Sequence, residues 1–136
     1  LMEMDKLHRG GMLGIIASFL YLAFLGSGEI STIAGILGEG SAAIIGFILF
    51  LIGSAVFGGI YTGWVEGMAT GGWQTLVVGL VYGIIWWIIA PNIIVPAITG
   101  GAVLALDLSG AHFYAHIISG VSLAWIAEAT GGSKEA

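Results

Sequence analysis

The chain has 136 residues, only 8% of them charged, and its formal net charge is −5. A mean hydropathy of +1.06 lies outside the range of water-soluble domains. The acidic balance excludes a nucleic-acid-binding surface, and the absence of cysteine excludes disulfides and thiolate-bound clusters. The composition therefore indicates an integral membrane protein, with no separate soluble domain among its apolar runs.

Four apolar runs without Asp, Glu, Lys or Arg fill most of the sequence: residues 12–25, 42–61, 76–98 and 111–127. A helix needs about 20 apolar residues to cross the hydrocarbon layer of a bilayer. Two runs reach that length, and the other two reach it with neighbouring small residues. We therefore expect an all-α fold, in which residues 1–136 form a single transmembrane domain, a bundle of four membrane-spanning helices.

Between the spans, two breaks are predicted. The first span ends at Gly26, and the short apolar stretch 29–37 follows it. The third span meets Pro91, where helical hydrogen bonding fails unless the chain kinks or starts again, and the stretch 93–106 follows. Because unpaired backbone groups cannot face lipid, we expect both stretches to form short helices at the outer membrane interface.

The two halves of the chain, residues 10–67 and 75–131, resemble each other. Sliding the first half forward so that Gly14 falls on Gly79 also places Gly26 on Pro91. This pattern predicts two repeated helical hairpins, related by an axis along the membrane normal. Chance similarity between glycine-rich apolar segments is the alternative.

The few basic residues predict the orientation. Lys6 and Arg9 precede the first span, and Lys134 follows the fourth. Basic residues accumulate on the cytoplasmic side of membrane proteins. We expect a multi-pass protein of the prokaryotic plasma membrane with both termini in the cytoplasm.

Glycine is unusually frequent, at 24 of 136 residues, and it recurs at helical spacing. Gly59 and Gly63 share a face of the second span, Gly79 and Gly83 a face of the third, and Gly120 lies in the fourth. Small residues let helices approach closely in lipid, where the hydrophobic effect cannot drive them together. These glycines are predicted helix-packing positions, within the chain or against another subunit.

His112 and His116 stand one helical turn apart at the start of the fourth span, and four interpretations compete. The first interpretation is that both histidines hydrogen-bond to neighbouring helices. The second is that they bind a metal ion together with Asp107, Glu29 or Glu39. The third is that they ligate haem or a chlorophyll-type pigment, and the fourth is that they act as a protonation switch. Doubly ligated haem would need a histidine from a second copy or a partner subunit, because no other span carries one.

Other ionisable residues indicate little buried chemistry. No Asp, Glu, His, Lys or Arg lies between Arg9 and Glu29, so the first span lacks the carboxylate on which small four-span drug exporters depend. Glu66 and Glu128 close the second and fourth spans and are expected to be solvated. No nucleotide-binding loop or hydrolase motif is present, so we expect no enzymatic activity and assign no catalytic residue.

Spans three and four resemble a pattern found in small uncharacterised prokaryotic four-span membrane proteins. The positions that carry it are Tyr82, Gly83, Trp86, Trp87, Pro96, His116, Gly120, Leu123 and Ala124. The resemblance covers the C-terminal half of the chain and implies four spans, without implying a function.

Three functional hypotheses follow from the sequence. The leading one is an accessory or structural subunit of a larger membrane complex, packed through Gly- and Ala-rich helix faces. A metal-, haem- or pigment-binding membrane subunit using His112 and His116 is the second. The third is a small homo-oligomeric channel or transporter. The expected partners are membrane lipids and either other membrane subunits or further copies of the chain.

Overall fold

The computed structural model describes residues 4–26, 28–38, 40 and 42–131. Helices account for 84% of these residues, and no strand occurs among them, which confirms the all-α prediction. The α-helices are α1 (Met4–Leu25), α2 (Gly28–Ala34), α3 (Ala43–Ile60), α4 (Trp73–Ile89), α5 (Val95–Thr99) and α6 (Ala111–Thr130). The remaining turns are a 3₁₀ turn at Gly35–Leu37, a π-helical turn at Tyr61–Val65, a 3₁₀ turn at Glu66–Met68 and a π-helical turn at Ala90–Ile94.

Three helical segments of the described chain are long and apolar enough to cross a membrane: Met4–Leu25, Ala43–Met68 and Trp73–Thr99. Their length and composition suggest membrane insertion. The 20 residues of α6 are also long enough, but α6 is less apolar because it carries His112, His116 and Glu128.

Pro91 does not end the third apolar segment. Helix α4 passes through the π-helical turn Ala90–Ile94 into α5 and stops at Gly100, which adopts a left-handed conformation with φ of +83°. Because proline has no N–H group, it leaves the Trp87 carbonyl without its usual helical donor. The Asn92 side chain donates to that oxygen at 2.8 Å. The predicted short helix therefore shrinks to Val95–Thr99, and residues 101–110 are not helical.

The long helices pack as two pairs joined through α1. Helix α1 lies against α3, α4 lies against α6, and α1 also packs along α6, while the short α2 rests on α3. Their shared core consists of Leu13, Ala17, Phe57, Tyr61, Tyr82, Leu123, Ala124 and Ala127. The end at which α1 begins and α6 ends is called the terminal end below, and the other the distal end.

The outward faces of the bundle are strongly apolar. Ile16, Phe24, Ile52, Leu76 and Ile85 are each between 43% and 56% exposed. Exposed apolar side chains in this number are typical of a membrane or protein interaction surface rather than one facing water. Most of the polar side chains that are buried lie between the helices, where the two clusters described next are formed.

Candidate functional site

Three helices meet in a cluster at the distal end, defined here as the distal polar cluster: Tyr21, Glu29, His112 and His116. His112 Nε2 lies 3.2 Å from each carboxylate oxygen of Glu29. The Tyr21 hydroxyl donates to Glu29 Oε2 at 3.2 Å. Glu29 thus connects α1 and α6 from the first turn of α2.

His116, one turn further along α6, is only 9% exposed. Its Nδ1 lies 2.8 Å from the His112 carbonyl oxygen. Because a carbonyl oxygen only accepts, Nδ1 carries the proton, and in the neutral ring Nε2 holds the lone pair. The Tyr21 ring packs edge-on against the His116 ring at a centroid distance of 4.9 Å. His116 is therefore held in one orientation and one tautomer.

Asp107, a predicted metal ligand, makes its own local turn. Its carboxylate accepts from the Ser109 hydroxyl at 2.6 Å and from the Ser109 N–H at 3.0 Å. These hydrogen bonds hold the pKa of Asp107 below its usual value. Glu39, another candidate ligand, lies outside the described residues, as does Lys134. In the described part of the chain, no three His, Asp or Glu side chains are grouped closely enough to hold a metal ion.

A second cluster lies at the terminal end, defined here as the terminal polar cluster: Arg9, Tyr61, Glu66, Thr75 and Glu128. Arg9 Nη1 donates to Glu66 Oε1 at 2.9 Å, and Nη2 donates to the Ala127 carbonyl at 2.6 Å. Glu66 is only 8% exposed, so the expectation of a solvated residue is wrong for Glu66. Arg9 therefore ties the first long helix to both the second and the last.

The other members come from the remaining helices. Thr75, fully buried near the start of α4, donates its hydroxyl to Glu128 of α6. Tyr61 is also fully buried, and its hydroxyl lies within electrostatic range of Glu66, Glu128 and Arg9. Sequence reasoning missed this cluster. One sequence signal could have found it. In an antiparallel bundle, the start of one helix and the end of the next lie on the same side, and all the members of the cluster lie at such positions.

Glycines form both close helix crossings. At the α1–α3 crossing, a Cβ on Gly58 would overlap the Gly10 carbonyl and the Gly14 backbone. At the α4–α6 crossing, a Cβ on Gly120 would overlap the Gly79 carbonyl and the Gly83 backbone. The same three backbone contacts therefore recur in the two helix pairs.

Gly59 and Gly63 occupy a different surface. A Cβ on Gly59 would make only an ordinary contact with Leu7, at 3.6 Å, and Gly63 is half-buried in the π-helical turn. Gly59 borders an outward-facing groove of about 620 Å³ between α1 and α3. Its lining includes Leu7, Gly11, Ile15, Ala55, Gly59 and Trp64. We call this the α1–α3 groove.

No family model matches the chain, and no curated protein or solved structure matches it either. The resemblance of spans three and four to small prokaryotic four-span proteins stays a prediction. So do the metal and cofactor hypotheses at His112 and His116. The two polar clusters, the glycine crossings and the α1–α3 groove are thus the observations from which a function can be inferred.

Proposed function

We propose that α6 is a fourth membrane span and that the chain forms two repeated hairpins in a prokaryotic plasma membrane, with both termini in the cytoplasm. The 20 residues of α6 are enough to cross the hydrocarbon layer. Packing of α6 along both α1 and α4 supports a transmembrane position. The matching glycine contacts of the α1–α3 and α4–α6 pairs support the repeat.

Within that membrane, the chain acts as an accessory or structural subunit of a larger assembly. The observation that carries this proposal is the α1–α3 groove. The chain's own close crossing uses Gly10, Gly14 and Gly58, which leaves Gly11, Ala55 and the buried Gly59 to line the groove. A helix of another subunit can approach such a small-residue surface closely and gain van der Waals contact that lipid does not supply.

Native mass spectrometry of the protein, extracted from its own membrane in mild detergent, tests this function. We expect the extracted protein to carry bound subunits whose sequences differ from that of this chain. Gly59→Leu should remove them without unfolding the chain, because a side chain there would fill the groove. Gly53→Leu is the matched control, since Gly53 lies on α3 where an added Cβ would meet no heavy atom within 4 Å.

A clean multiple of the 14.0 kDa chain mass with nothing else bound would contradict the subunit proposal. It would favour the homo-oligomeric channel or transporter instead. Substrate flux into liposomes that contain only this chain would then be the deciding measurement.

The distal polar cluster favours a second candidate, a subunit that binds a metal ion, haem or a pigment. Its supporting observation is the fixed tautomer of His116, whose Nε2 carries the lone pair a metal centre requires. The His112→Ala/His116→Ala double variant should lose any metal or visible absorption that co-purifies with the chain. A wild-type protein that carries neither would end this candidate.

A further inference from the structure

We propose that the loop between α5 and α6, residues 101–110, is an interfacial anchor that inserts its leucines among the lipids of the leaflet at the distal end. The proposal rests on the four-span arrangement proposed above, but not on the role as a subunit. It depends on three properties of the loop: its exposed apolar side chains, its depth beside the α4–α5 segment, and the backbone conformation of Leu104.

The loop is irregular in backbone structure and yet strongly apolar. Leu104, Leu106 and Leu108 are 52%, 50% and 62% exposed, and Val103 is 52% exposed. Asp107 is the one charged residue of the loop. Exposed aliphatic side chains that are grouped so closely mark a surface that contacts lipid or another protein rather than water. The depth of the loop decides between these two.

The packing of α6 on α4 places the loop below the distal tip of α5. The Trp87 ring packs against the Phe113 ring at a centroid distance of 4.8 Å, so α6 begins beside Trp87. The α4–α5 segment continues beyond Trp87 as far as Thr99, a distance of about 18 Å along a helix. To reach Ala111, the loop must therefore run back along that segment towards the bilayer.

One hydrogen bond fixes the depth that the loop reaches. The Leu104 N–H donates to the Asn92 carbonyl oxygen at 2.7 Å; Pro96, four residues after Asn92, has no N–H to donate there. Trp73 begins the same helical segment and is 71% exposed, and tryptophan concentrates at membrane–water interfaces. From Trp73 to Asn92 the helix rises about 29 Å, and the hydrocarbon layer is about 30 Å thick. Leu104 therefore lies at the distal boundary between acyl chains and headgroups.

The polar groups of the loop suit that boundary. The Leu106 N–H donates to the Leu104 carbonyl, and the Gly110 N–H donates to the Asp107 carbonyl. These local turns pair backbone groups that cannot face acyl chains unpaired. Asp107 and Ser109 alternate with the leucines in the sequence, and both are exposed. Amphipathic helices at membrane surfaces divide their side chains in the same way, with the apolar ones about 5–10 Å into the boundary.

Leu104 also has an unusual backbone conformation. Its φ of +59° is the one positive φ among the described residues other than glycine. Side chains rarely adopt this conformation, and it persists where the surroundings hold it in place. Here the hydrogen bond to Asn92 holds the backbone, and the half-exposed leucine side chain lies outside the bundle at the depth of the lipids. Lipid is therefore the occupant of this surface, since another protein would first have to displace it.

Spin labelling of single-cysteine variants tests the depth of the loop. Leu104→Cys, Leu106→Cys and Leu108→Cys each receive a nitroxide, and the full chain is reconstituted alone in vesicles of phosphatidylcholine and phosphatidylglycerol. Power-saturation EPR compares collisions with oxygen, which concentrates among acyl chains, and collisions with a water-soluble nickel complex. We expect all three labels to lie about 5–10 Å into the headgroup–acyl boundary. Their values should fall between those of Asp5→Cys, in water, and Ile85→Cys, in the hydrocarbon.

Ser109→Cys is the matched control in the same loop, and its label should collide with the nickel complex more often than the labels at the leucine positions. If Leu104→Cys does not fold, Leu106→Cys and Leu108→Cys carry the test. Water-like values at the leucine positions would overturn the proposal. Tyr114→Cys, at a position 48% exposed on α6, then shows whether the fourth span fails as well, because its label stays in the hydrocarbon if α6 spans. Spin–spin broadening that disappears on dilution with unlabelled chain would also overturn the proposal, since a second copy would then cover the loop.

Discussion

Glu66 is an unusual residue for the interior of a helical bundle, and its partner Arg9 is half-buried, with 27% of its side chain exposed. Their ion pair joins positions 57 residues apart, and Glu66 has only 9% of its side chain exposed. Burying two charges costs desolvation energy that their attraction only partly returns, so such a pair adds little stability relative to apolar residues. Removing one partner is different, because it leaves the other charge buried without compensation.

For this reason, Glu66→Met and Arg9→Met should each lower the free energy of unfolding by about 2–4 kcal/mol. The Arg9→Met/Glu66→Met double variant should recover most of that loss, since neither charge is then left alone. Unfolding in detergent by titration with a denaturing surfactant measures all three. Losses that simply add in the double variant would show that the two residues do not act as a pair.

Asn92 gives a second prediction for a single side chain. Its amide supplies the donor that Pro91 cannot offer to the Trp87 carbonyl, so Asn92→Leu should cost about 1–3 kcal/mol of unfolding free energy. Restoring a backbone N–H with Pro91→Ala in the same chain should reduce that cost. If Asn92→Leu is equally destabilising with proline or alanine at position 91, the stranded carbonyl is not the cause.

Among the helices, the two close crossings share one design. In each, a pair of glycines four residues apart on one helix receives a single glycine from the other, and backbone meets backbone. Close approach of this kind lets helices gain van der Waals contact that lipid cannot replace. A methyl group at the crossing forces the helices apart.

Gly58→Ala and Gly120→Ala should therefore each destabilise the folded chain by about 1–3 kcal/mol. Gly53→Ala is the control on α3, where the added methyl meets open space. Alanine favours a helix over glycine by up to about 1 kcal/mol, so this control should be neutral or slightly stabilising. The comparison uses thermal unfolding in detergent. A Gly58→Ala protein as stable as Gly53→Ala would contradict the packing described here.

At the scale of the whole molecule, the proposed fourth span predicts a membrane topology for α6. Since the chain has no cysteine, a single introduced cysteine is the only thiol of the chain that a reagent can label. If α6 spans, residues 5 and 130 lie on one side and residue 109 on the other. A membrane-impermeant thiol reagent should then label Ser109→Cys in intact cells, and Asp5→Cys and Thr130→Cys only in inverted vesicles. Labelling of positions 109 and 130 from the same side would exclude a fourth span.

Much of this architecture could be predicted, because apolar runs and small-residue spacing are local properties of a sequence. The burial of Glu66 could not, since it depends on Arg9 and Ala127, which only the folded bundle brings near. The helix through Pro91 was missed because the Asn92 amide replaces the missing donor. The α1–α3 crossing uses Gly58, a glycine that the spacing pattern did not single out; it lies one residue and about 100° around the helix from Gly59.

The contact between Arg9 and Ala127 has a consequence for biosynthesis. Arg9 leaves the ribosome before its two partners exist, so the guanidinium of nascent α1 starts without the contacts that it makes in the folded chain. Its place near a helix end lets the side chain reach the lipid headgroups in the meantime. Glu66 can contact Arg9 once α3 has been made, and Ala127 only after α6 has been made as well. Helix α1 is thus made before the other described helices, yet it reaches its final contacts only when α6 has joined it.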